Sequence, residues 1–306
     1  MSKDEKKNIT ASILQRLRNY SEARKEDRGL TLTSYAIERL LYRLSISKYA
    51  EQFILKGAQL FRVWSDFSYR PTRDVDFLRL GSPNMTELEE MFRAICSIKT
   101  DIDDGIIYLA ETVKAEAIRE ENEYDGIRIK VEFRIGRTGQ YLQVDIGFGD
   151  SLNPPALEIQ FPTILEMPSP HLKGYRRDTV IAEKVEAMVS LGYANSRMKD
   201  FYDIDKLSKE FEYDGEILKK AIQLTFERRK TEIPNEPPLS FTIEFSEDPV
   251  KQTQWNAFLR KNSLEPISFT QIVKRIELFI MPMFSAIKES KTYGLKWLPD
   301  KRWVKS

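Results

Sequence analysis

Between residues 106 and 161, apolar side chains recur at every second position, and this pattern constrains the fold more than any other. Four segments show it: IIYLAETV, IRIKVEFRI, YLQVDIGFG and LEIQF. A period of two is that of a β-strand with one buried face. The DG and TGQ sequences between the segments are typical of turns. Two shorter apolar runs, FILKG and DVDFLRL, come earlier in the chain. The sequence therefore predicts a mixed sheet.

Helical periodicity flanks the predicted strands on both sides. Amphipathic patterns at 8–28 and 33–46 come before the sheet, and NMTELEEMFRAICSI, with Asn84 or Thr86 as its N-cap, lies between two strands. A proline-rich stretch at 154–174 marks a boundary. After it, a short strand is predicted at LSFTIEF. Helices are predicted at 178–192, 197–210, 214–230, 249–261 and 269–289.

These patterns predict an α+β fold: a mixed sheet with flanking helices, followed by a mainly helical C-terminal domain. The predicted boundaries are 1–46 for an N-terminal helical lead-in, 47–165 for the α/β core and 166–306 for the C-terminal domain. A chain of 306 residues is long enough to bury a substantial core in such an arrangement.

Composition excludes several kinds of active site. The single cysteine, Cys96, excludes an intrachain disulfide and a cysteine-rich zinc site, and the single histidine, His171, leaves little material for histidine-based catalysis. A formal net charge of +1 provides no global field for binding nucleic acid or membranes. The chain also lacks a signal-peptide pattern and a long apolar run. We expect a cytoplasmic protein whose chemistry depends on carboxylates and lysines.

Three aspartates lie on neighbouring predicted strands. Asp74 and Asp76 in RPTRDVDFL are two residues apart, so their side chains point to the same face. Adjacent carboxylates repel each other unless a cation holds them. Asp145 in LQVDIGFGD lies opposite an apolar face and would complete a set of oxygen ligands for Mg²⁺. The alternative interpretation is that all three are solvated strand or turn residues.

Two further segments carry groups suited to a nucleotide. LKGAQLF predicts a strand, a turn at Gly57 and a helix start whose N–H groups can bind phosphate. An ordinary tight turn would give the same pattern. AEKVEAMVSLGYANSRMKDFYDI contains Lys184 and, on the next predicted helix, Lys199, Asp200 and Asp203. These charges either grip a triphosphate or form a solvated, ion-paired face.

Four segments, in this order, resemble the nucleotidyltransferase toxins of the AbiEii/AbiGii type: ERLLYRLSISKYAEQFILKGAQLF, RPTRDVDFL, VDIGFGD and AEKVEAMVSLGYANSRMKDFYDI. They cover most of residues 35–205. Those toxins are similar to the DNA polymerase beta nucleotidyltransferase superfamily. The resemblance therefore implies a nucleotidyltransferase-type sheet and a toxin of a bacterial toxin–antitoxin or abortive-infection system.

The resemblance also implies roles for individual residues. Asp74, Asp76 and Asp145 are the implied metal ligands, and Asp200 or Asp203, with Asp200 preferred, is the late catalytic aspartate. Lys184 is implied to contact the nucleotide and to belong to the catalytic set. The implied nucleotide-binding residues are Lys56, Gly57, Ala58, Lys184, Arg197 and Lys199. Ala58 departs from the family pattern, in which a serine hydroxyl often contacts phosphate.

The implied reaction transfers NMP from an NTP, with Mg²⁺ or Mn²⁺ as cofactor and pyrophosphate as leaving group. The implied acceptor is an RNA 3′ end, such as that of tRNA, or a protein hydroxyl, and a cognate antitoxin is expected to be encoded nearby. A catalytically silent nucleotide- or RNA-binding module and a DxD glycosyltransferase-like enzyme are the alternatives.

Basic residues near the C-terminus are consistent with RNA binding. The two clusters are Lys219, Lys220, Arg228, Arg229 and Lys230, and then Lys296, Lys301, Arg302 and Lys305 with Trp297 and Trp303. Aromatic rings among cations can stack on bases. The alternative is an ordinary tail whose tryptophans dock onto the domain.

Overall fold

A computed structural model describes residues 3–65, 70–118, 126–149, 152, 154–299 and 302–305, without the side chains of residues 3–8. Asp150, which ends the VDIGFGD segment, and Lys301 lie outside the described residues. The chain divides into two compact units. The sheet unit comprises residues 1–152 and 156–175, and the helical unit comprises residues 153–155 and 176–306.

The sheet unit combines helices with a large mixed sheet. Its helices are α1 (Lys3–Arg24), α2 (Arg28–Ser45), α3 (Phe61–Trp64) and α4 (Met85–Cys96). Its strands are β1 (Phe53–Lys56), β2 (Asp74–Leu80), β3 (Ile106–Tyr108), β4 (Lys114–Ile118), β5 (Gly126–Ile135), β6 (Thr138–Gly149), β7 (Leu157–Gln160) and β8 (His171–Gly174). A 3₁₀ turn, Gly57–Leu60, joins β1 to α3.

The eight described strands of this unit form one sheet in the order β3-β5-β6-β2-β1-β8-β7, with β4 paired to β5. Strands β2 and β6 are parallel, as are β1 and β8, whereas β1 and β2 are antiparallel. Along β5 and β6, buried residues alternate with half-buried ones. This alternation gives the sheet one face in the apolar core and one more open face.

Local sequence signals explain where several elements begin. Asp27 caps α2 by accepting a hydrogen bond from the Leu30 N–H, and Asn84 caps α4 by accepting one from the Glu87 N–H. The predicted strand IIYLAETV is shorter than expected. Strand β3 ends at Tyr108, a 3₁₀ turn at Ala110–Thr112 follows, and β4 then begins.

The helical unit holds the remaining described elements. Its helices are α5 (Arg177–Leu191), α6 (Met198–Glu210), α7 (Gly215–Arg229), α8 (Ile243–Glu247), α9 (Pro249–Lys261) and α10 (Phe269–Lys288). Its strands β9 (Tyr213–Asp214), β10 (Leu295–Leu298) and β11 (Arg302–Lys305) form an antiparallel sheet in the order β11-β10-β9. The predicted α+β class is confirmed.

The predicted strand at LSFTIEF is wrong. Leu239–Phe241 is a 3₁₀ turn, and α8 follows it. The hydroxyl of Thr242 accepts a hydrogen bond from the Phe245 N–H at 3.2 Å, so this residue begins a helix although its β-branched side chain favours strands. In the described part of the chain, no helix is long and apolar enough to cross a membrane.

Candidate active site

Four charged residues form one row across the open face of the sheet. Lys56 on β1 pairs in register with Asp76 on β2, Asp76 pairs with Asp145 on β6, and Asp145 pairs with Arg128 on β5. Residues paired in this way project to the same face of a sheet. We call these four residues the charged row. The sheet thus brings together Asp76 and Asp145, which are far apart in the sequence.

Asp74 lies on the same face as Asp76, one pair further along β2, where it is in register with Gln143 of β6. The hydroxyl of Thr72 donates to Oδ1 of Asp74 at 2.5 Å. Asp74 and Asp76 are both half-buried, while Val75 and Phe77, on the other face, are fully buried. The apolar residues of β2 therefore anchor the strand and leave the two carboxylates on the open face.

Arg128 holds both oxygens of Asp145 through one edge of its guanidinium. Its Nε lies 2.8 Å from Oδ1 and its Nη2 lies 2.8 Å from Oδ2 of the carboxylate. The Gln143 amide also donates to Oδ2 at 3.3 Å. The hydrogen bond to Asp145 raises the pKa of Arg128, with a smaller contribution from the charge of Asp74. Both oxygens of the third carboxylate are thus engaged by protein donors.

The turn at Gly57 brings the backbone against Asp76. Gly57 has a φ of +72°, and a Cβ built on it would lie 2.0 Å from Oδ2 of Asp76. A side chain at this position would therefore collide with the carboxylate. The amide of Gln59 donates to the Asp74 carbonyl at 3.0 Å, which ties the turn to β2. Lys56 is close to β6, because a Cβ built on Gly147 would lie 3.3 Å from its Nζ.

We expect Gly57→Ala to displace Asp76 and to abolish nucleotidyl transfer. The left-handed backbone alone costs about 1–2 kcal/mol with a Cβ present, and the collision adds to this cost. The matched control is Gly81→Ala, since Gly81 has a φ of +104° and no described atom lies within 4 Å of its built Cβ. Chemical denaturation and a transfer assay on both variants check the prediction. Equal activity in the two variants would contradict it.

Lys184 of the helical unit contacts both candidate late aspartates. Its Nζ lies 2.5 Å from Oδ1 of Asp200 and 2.9 Å from Oδ2 of Asp203. Both aspartates are completely buried, whereas the Lys184 side chain is 13% exposed. Arg197, which is more exposed, forms a second ion pair with Asp200 at 2.8 Å. We call these four residues the lysine cluster.

Neighbouring positive charges keep the buried Asp200 ionised. Burial raises its pKa, but the charges of Lys184, Arg197 and Lys199 outweigh burial and bring the pKa to about 2. Lys199 is itself exposed and acts at longer range. The buried carboxylate therefore stays ionised, and its charge is balanced within the helical unit.

The carboxylates of the sheet unit fit a divalent metal ion in part. Carboxylate oxygens are the ligands that Mg²⁺ prefers, and Asp74 and Asp76 present them side by side. Asp145 is in register with Asp76, but Arg128 occupies both of its oxygens. Among the described residues, no group of three or more His, Cys, Asp or Glu side chains is arranged to hold a metal ion. Two of the three predicted ligands therefore fit as they stand, and the third fits only after Arg128 releases it.

The sequence analysis did not single out Arg128 or Gln59. In IRIKVEFRI, Arg128 and Lys130 alternate with buried Ile127, Ile129 and Val131, so the open face of β5 could have been inferred. The register that places Arg128 beside Asp145 could not, because strand order is a tertiary property. Gln59 gave no signal beyond its place after the glycine turn.

Much of the predicted basic surface near the C-terminus is already paired. Lys219 contacts Glu216 at 2.7 Å, Arg228 contacts Glu183 at 3.0 Å, and Arg229 contacts Glu186. Trp297 is 1% exposed and its indole N–H donates to the Ser208 carbonyl at 2.7 Å. The structure therefore shows Trp297 docked onto its own domain, which was the alternative to base stacking.

Comparison with known proteins assigns the chain to a family. Residues 39–275 match the family described as nucleotidyl transferase AbiEii toxin of a type IV toxin–antitoxin system, which is more than half of the chain. The chain belongs to this AbiEii family. The predicted resemblance is thereby confirmed, and the protein is a nucleotidyltransferase toxin. Membership implies an NTP substrate and an antitoxin partner.

Two solved structures from Helicobacter pylori share the fold of this AbiEii protein. JHP933 is 14% identical with a TM-score of 0.51, over 86% of this chain and 95% of that one. A proposed nucleotidyltransferase is 14% identical with a TM-score of 0.50, over 87% of this chain and 100% of that one. No curated protein matches the sequence. The family assignment favours a nucleotidyltransferase over the glycosyltransferase-like alternative.

Proposed function

We propose that this AbiEii protein transfers NMP from an NTP, in the presence of Mg²⁺ or Mn²⁺, to an RNA 3′ end, with tRNA as the first acceptor to test. The observation that carries the proposal is the position of Asp74 and Asp76 beside the Gly57 turn, where backbone and carboxylate are in close contact. Phosphate-binding N–H groups and metal-binding carboxylates then meet at one place. A protein hydroxyl is the second candidate acceptor, and cytoplasmic location remains a prediction.

The residues of the sheet unit have separate roles in this proposal. Asp74 and Asp76 would hold the divalent ion, and Asp145 would join them if its ion pair with Arg128 opened. When bound, the ion supplies Lewis-acid stabilisation of charge on the phosphates. The turn of Gly57 and Ala58 offers backbone N–H groups to the triphosphate, and Lys56 adds a positive charge beside it.

The lysine cluster belongs to the catalytic and nucleotide-binding set proposed from the family resemblance. That set also includes Lys199, which lies beside Asp200 in the sequence. The contacts support one role directly, which is that Lys184 forms ion pairs with two buried carboxylates. A further role of Lys184 toward the nucleotide is the proposal that its substitution tests.

A transfer assay tests the proposed function. The protein is incubated with each of the four α-³²P-labelled NTPs, Mg²⁺ and total tRNA, and the RNA and protein fractions are then separated. Label in tRNA supports the RNA acceptor, and label in the protein fraction supports a hydroxyl acceptor. Tight NTP binding without any transfer would support the catalytically silent module instead.

We expect Arg128→Gln to strengthen Mn²⁺ binding in the absence of NTP by about tenfold or more. The variant frees both oxygens of Asp145 from charge-assisted hydrogen bonds, each of which contributes about 1.5–3 kcal/mol. Electron paramagnetic resonance of free Mn²⁺ measures the affinity. Arg134→Gln on the same strand, whose guanidinium pairs with Glu132 at 2.8 Å, is the control. Unchanged or weaker Mn²⁺ binding in Arg128→Gln would show that Asp145 is not a metal ligand.

A further inference from the structure

A cavity of about 280 Å³ opens in the sheet unit beside the Gly57 turn. Ala58 of the turn lines it on one side, and Thr72 lines it next to β2. The hydroxyl of Thr72 donates to Asp74 at 2.5 Å, so one residue of the lining is in direct contact with a proposed catalytic carboxylate. Residues of α1 and α2 and of the segment 162–164 form other parts of the wall.

Positive charge dominates the described lining of this cavity. Three arginines, Arg24, Arg62 and Arg70, line it together with one carboxylate, that of Glu26. The Glu26 carboxylate is engaged by the hydroxyl of Thr31, which donates to Oε2 at 2.6 Å. A concave site with excess guanidinium groups attracts anions, and phosphate matches the planar fork of arginine.

Arg62 lines this cavity and has a buried donor. Its Nη1 is buried and makes no hydrogen bond in the described part of the chain. Its guanidinium lies over the ring of Phe161, 5.2 Å from the centroid. Burial lowers the pKa of Arg62, as expected where opposing charge is insufficient. An unsatisfied buried donor is costly, and a phosphate oxygen would satisfy it.

The buried acid Glu38 offsets the effect of burial on Arg62 only in part. Its charge raises the pKa of Arg62, but burial lowers it more. The carboxylate of Glu38 accepts a hydrogen bond from the Ile164 N–H at 2.6 Å and forms an ion pair with Arg39 at 3.0 Å, and it makes no hydrogen bond to Nη1 of Arg62. A ligand that brings its own negative charge would complete the cavity.

We propose that this arginine cavity binds the terminal phosphate of the nucleoside triphosphate. The proposal rests on the proposed nucleotidyl transfer and deepens it. It names this cavity as the part of the protein that selects nucleoside triphosphates over nucleotides with fewer phosphates. Ala58 has no hydroxyl to offer a phosphate, and Arg62, one helical turn further along, supplies a charged donor instead. The α-phosphate then remains at the turn beside Asp74 and Asp76.

Binding of inorganic tripolyphosphate to the full chain, measured by calorimetry, tests the proposal without depending on the base or on catalysis. We expect Arg62→Gln to weaken binding by about 10- to 100-fold, as for the loss of a charged hydrogen bond. Arg73→Gln is the matched control. Arg73 is 71% exposed, is not among the lining residues and pairs with Asp27 at 3.5 Å. Its substitution should leave the affinity unchanged.

Two further variants keep the test decisive if Arg62→Gln fails to fold. Arg24→Gln changes an exposed arginine of the lining and should weaken tripolyphosphate binding as well. Ala58→Ser adds a hydroxyl at the turn and should strengthen binding. No binding by the wild type, or equal affinity in the wild type, Arg24→Gln and any folded Arg62→Gln, overturns the proposal.

The transfer assay separates this inference from the proposed function. Arginine-dependent tripolyphosphate binding without transfer to any acceptor would reject the transferase and retain the cavity as a phosphate site. If Arg24→Gln and Arg62→Gln transfer NMP with the same KM for NTP as the wild type, the proposed phosphate site in the cavity is rejected and the proposed transferase function is retained.

Discussion

Asp76→Asn is expected to lower nucleotidyl transfer by more than about 1,000-fold, since a carboxylate-held metal contributes several kcal/mol to catalysis. Asp76 is central in the charged row and touches the Gly57 turn. We expect growth arrest in cells expressing the protein to disappear with the activity. The folded state should be as stable as the wild type or slightly more so, because one of two neighbouring like charges is removed.

The control for this variant is Asp101→Asn, which changes an exposed aspartate of the same unit in the same way. Its transfer rate, its toxicity at equal expression and its melting temperature should match those of the wild type. An Asp76→Asn protein that still arrests growth at equal expression would falsify the catalytic assignment of the charged row.

Lys184→Met is expected to lower the free energy of unfolding by about 3–5 kcal/mol, the usual cost of removing one partner from a buried ion pair. The substitution leaves Asp200 and Asp203 buried with less positive charge beside them. Urea denaturation measures the loss. Lys209→Met is the matched control, because the buried carboxylate that it leaves, Asp205, keeps an ion pair with Arg275 at 2.5 Å.

The pH dependence of stability should change sign in Lys184→Met. In the wild type the pKa of Asp200 is about 2, below the unfolded value of about 3.9, so its ionisation stabilises the fold above pH 4 and this contribution is lost on acidification. Without Lys184, burial raises that pKa above the unfolded value. Stability of the variant should then fall as pH rises above the unfolded pKa of about 3.9. A wild-type-like profile would show that Arg197 alone neutralises Asp200.

The triple variant Lys184→Met, Asp200→Asn, Asp203→Asn separates structural from catalytic roles. It removes the buried charges together, so much of the lost stability should return. If this folded variant still transfers NMP, the lysine cluster is structural. If it folds but fails to transfer, the family-based assignment of these residues to catalysis gains direct support.

Patterns that depend on local periodicity were predicted well. Strand β2 covers the whole predicted DVDFLRL segment, and the period-two run IRIKVEFRI forms most of β5, because one side of each strand is buried against the core. The i, i+2 spacing also predicted correctly that Asp74 and Asp76 share a face. Predicting these features requires only the alternation of side chains between the two faces of a strand.

Features that depend on tertiary partners could not be predicted. Strand β10 was missed because it pairs with two residues, Tyr213 and Asp214, far away in the sequence, and β11 was missed with it because β11 pairs with β10. The ion pair of Asp145 with Arg128 was also missed. For Lys184 an ion-paired face was one of two alternatives, but the burial of its partners Asp200 and Asp203 was not foreseen. A carboxylate within a strand looks the same whether it faces solvent, a metal or an arginine on the next strand, and only the register decides which.

The C-terminal strands have a consequence for how such a toxin can be lost. Trp297 on β10 lies in the core of the helical unit, in contact with Phe279 of α10 at 4.6 Å between ring centroids. A nonsense mutation just before codon 297, beyond every residue assigned to chemistry, would remove this aromatic anchor and leave strand β9 without β10. Cells that escape growth arrest can therefore carry lesions in the codons of β10 as well as in those of the carboxylates.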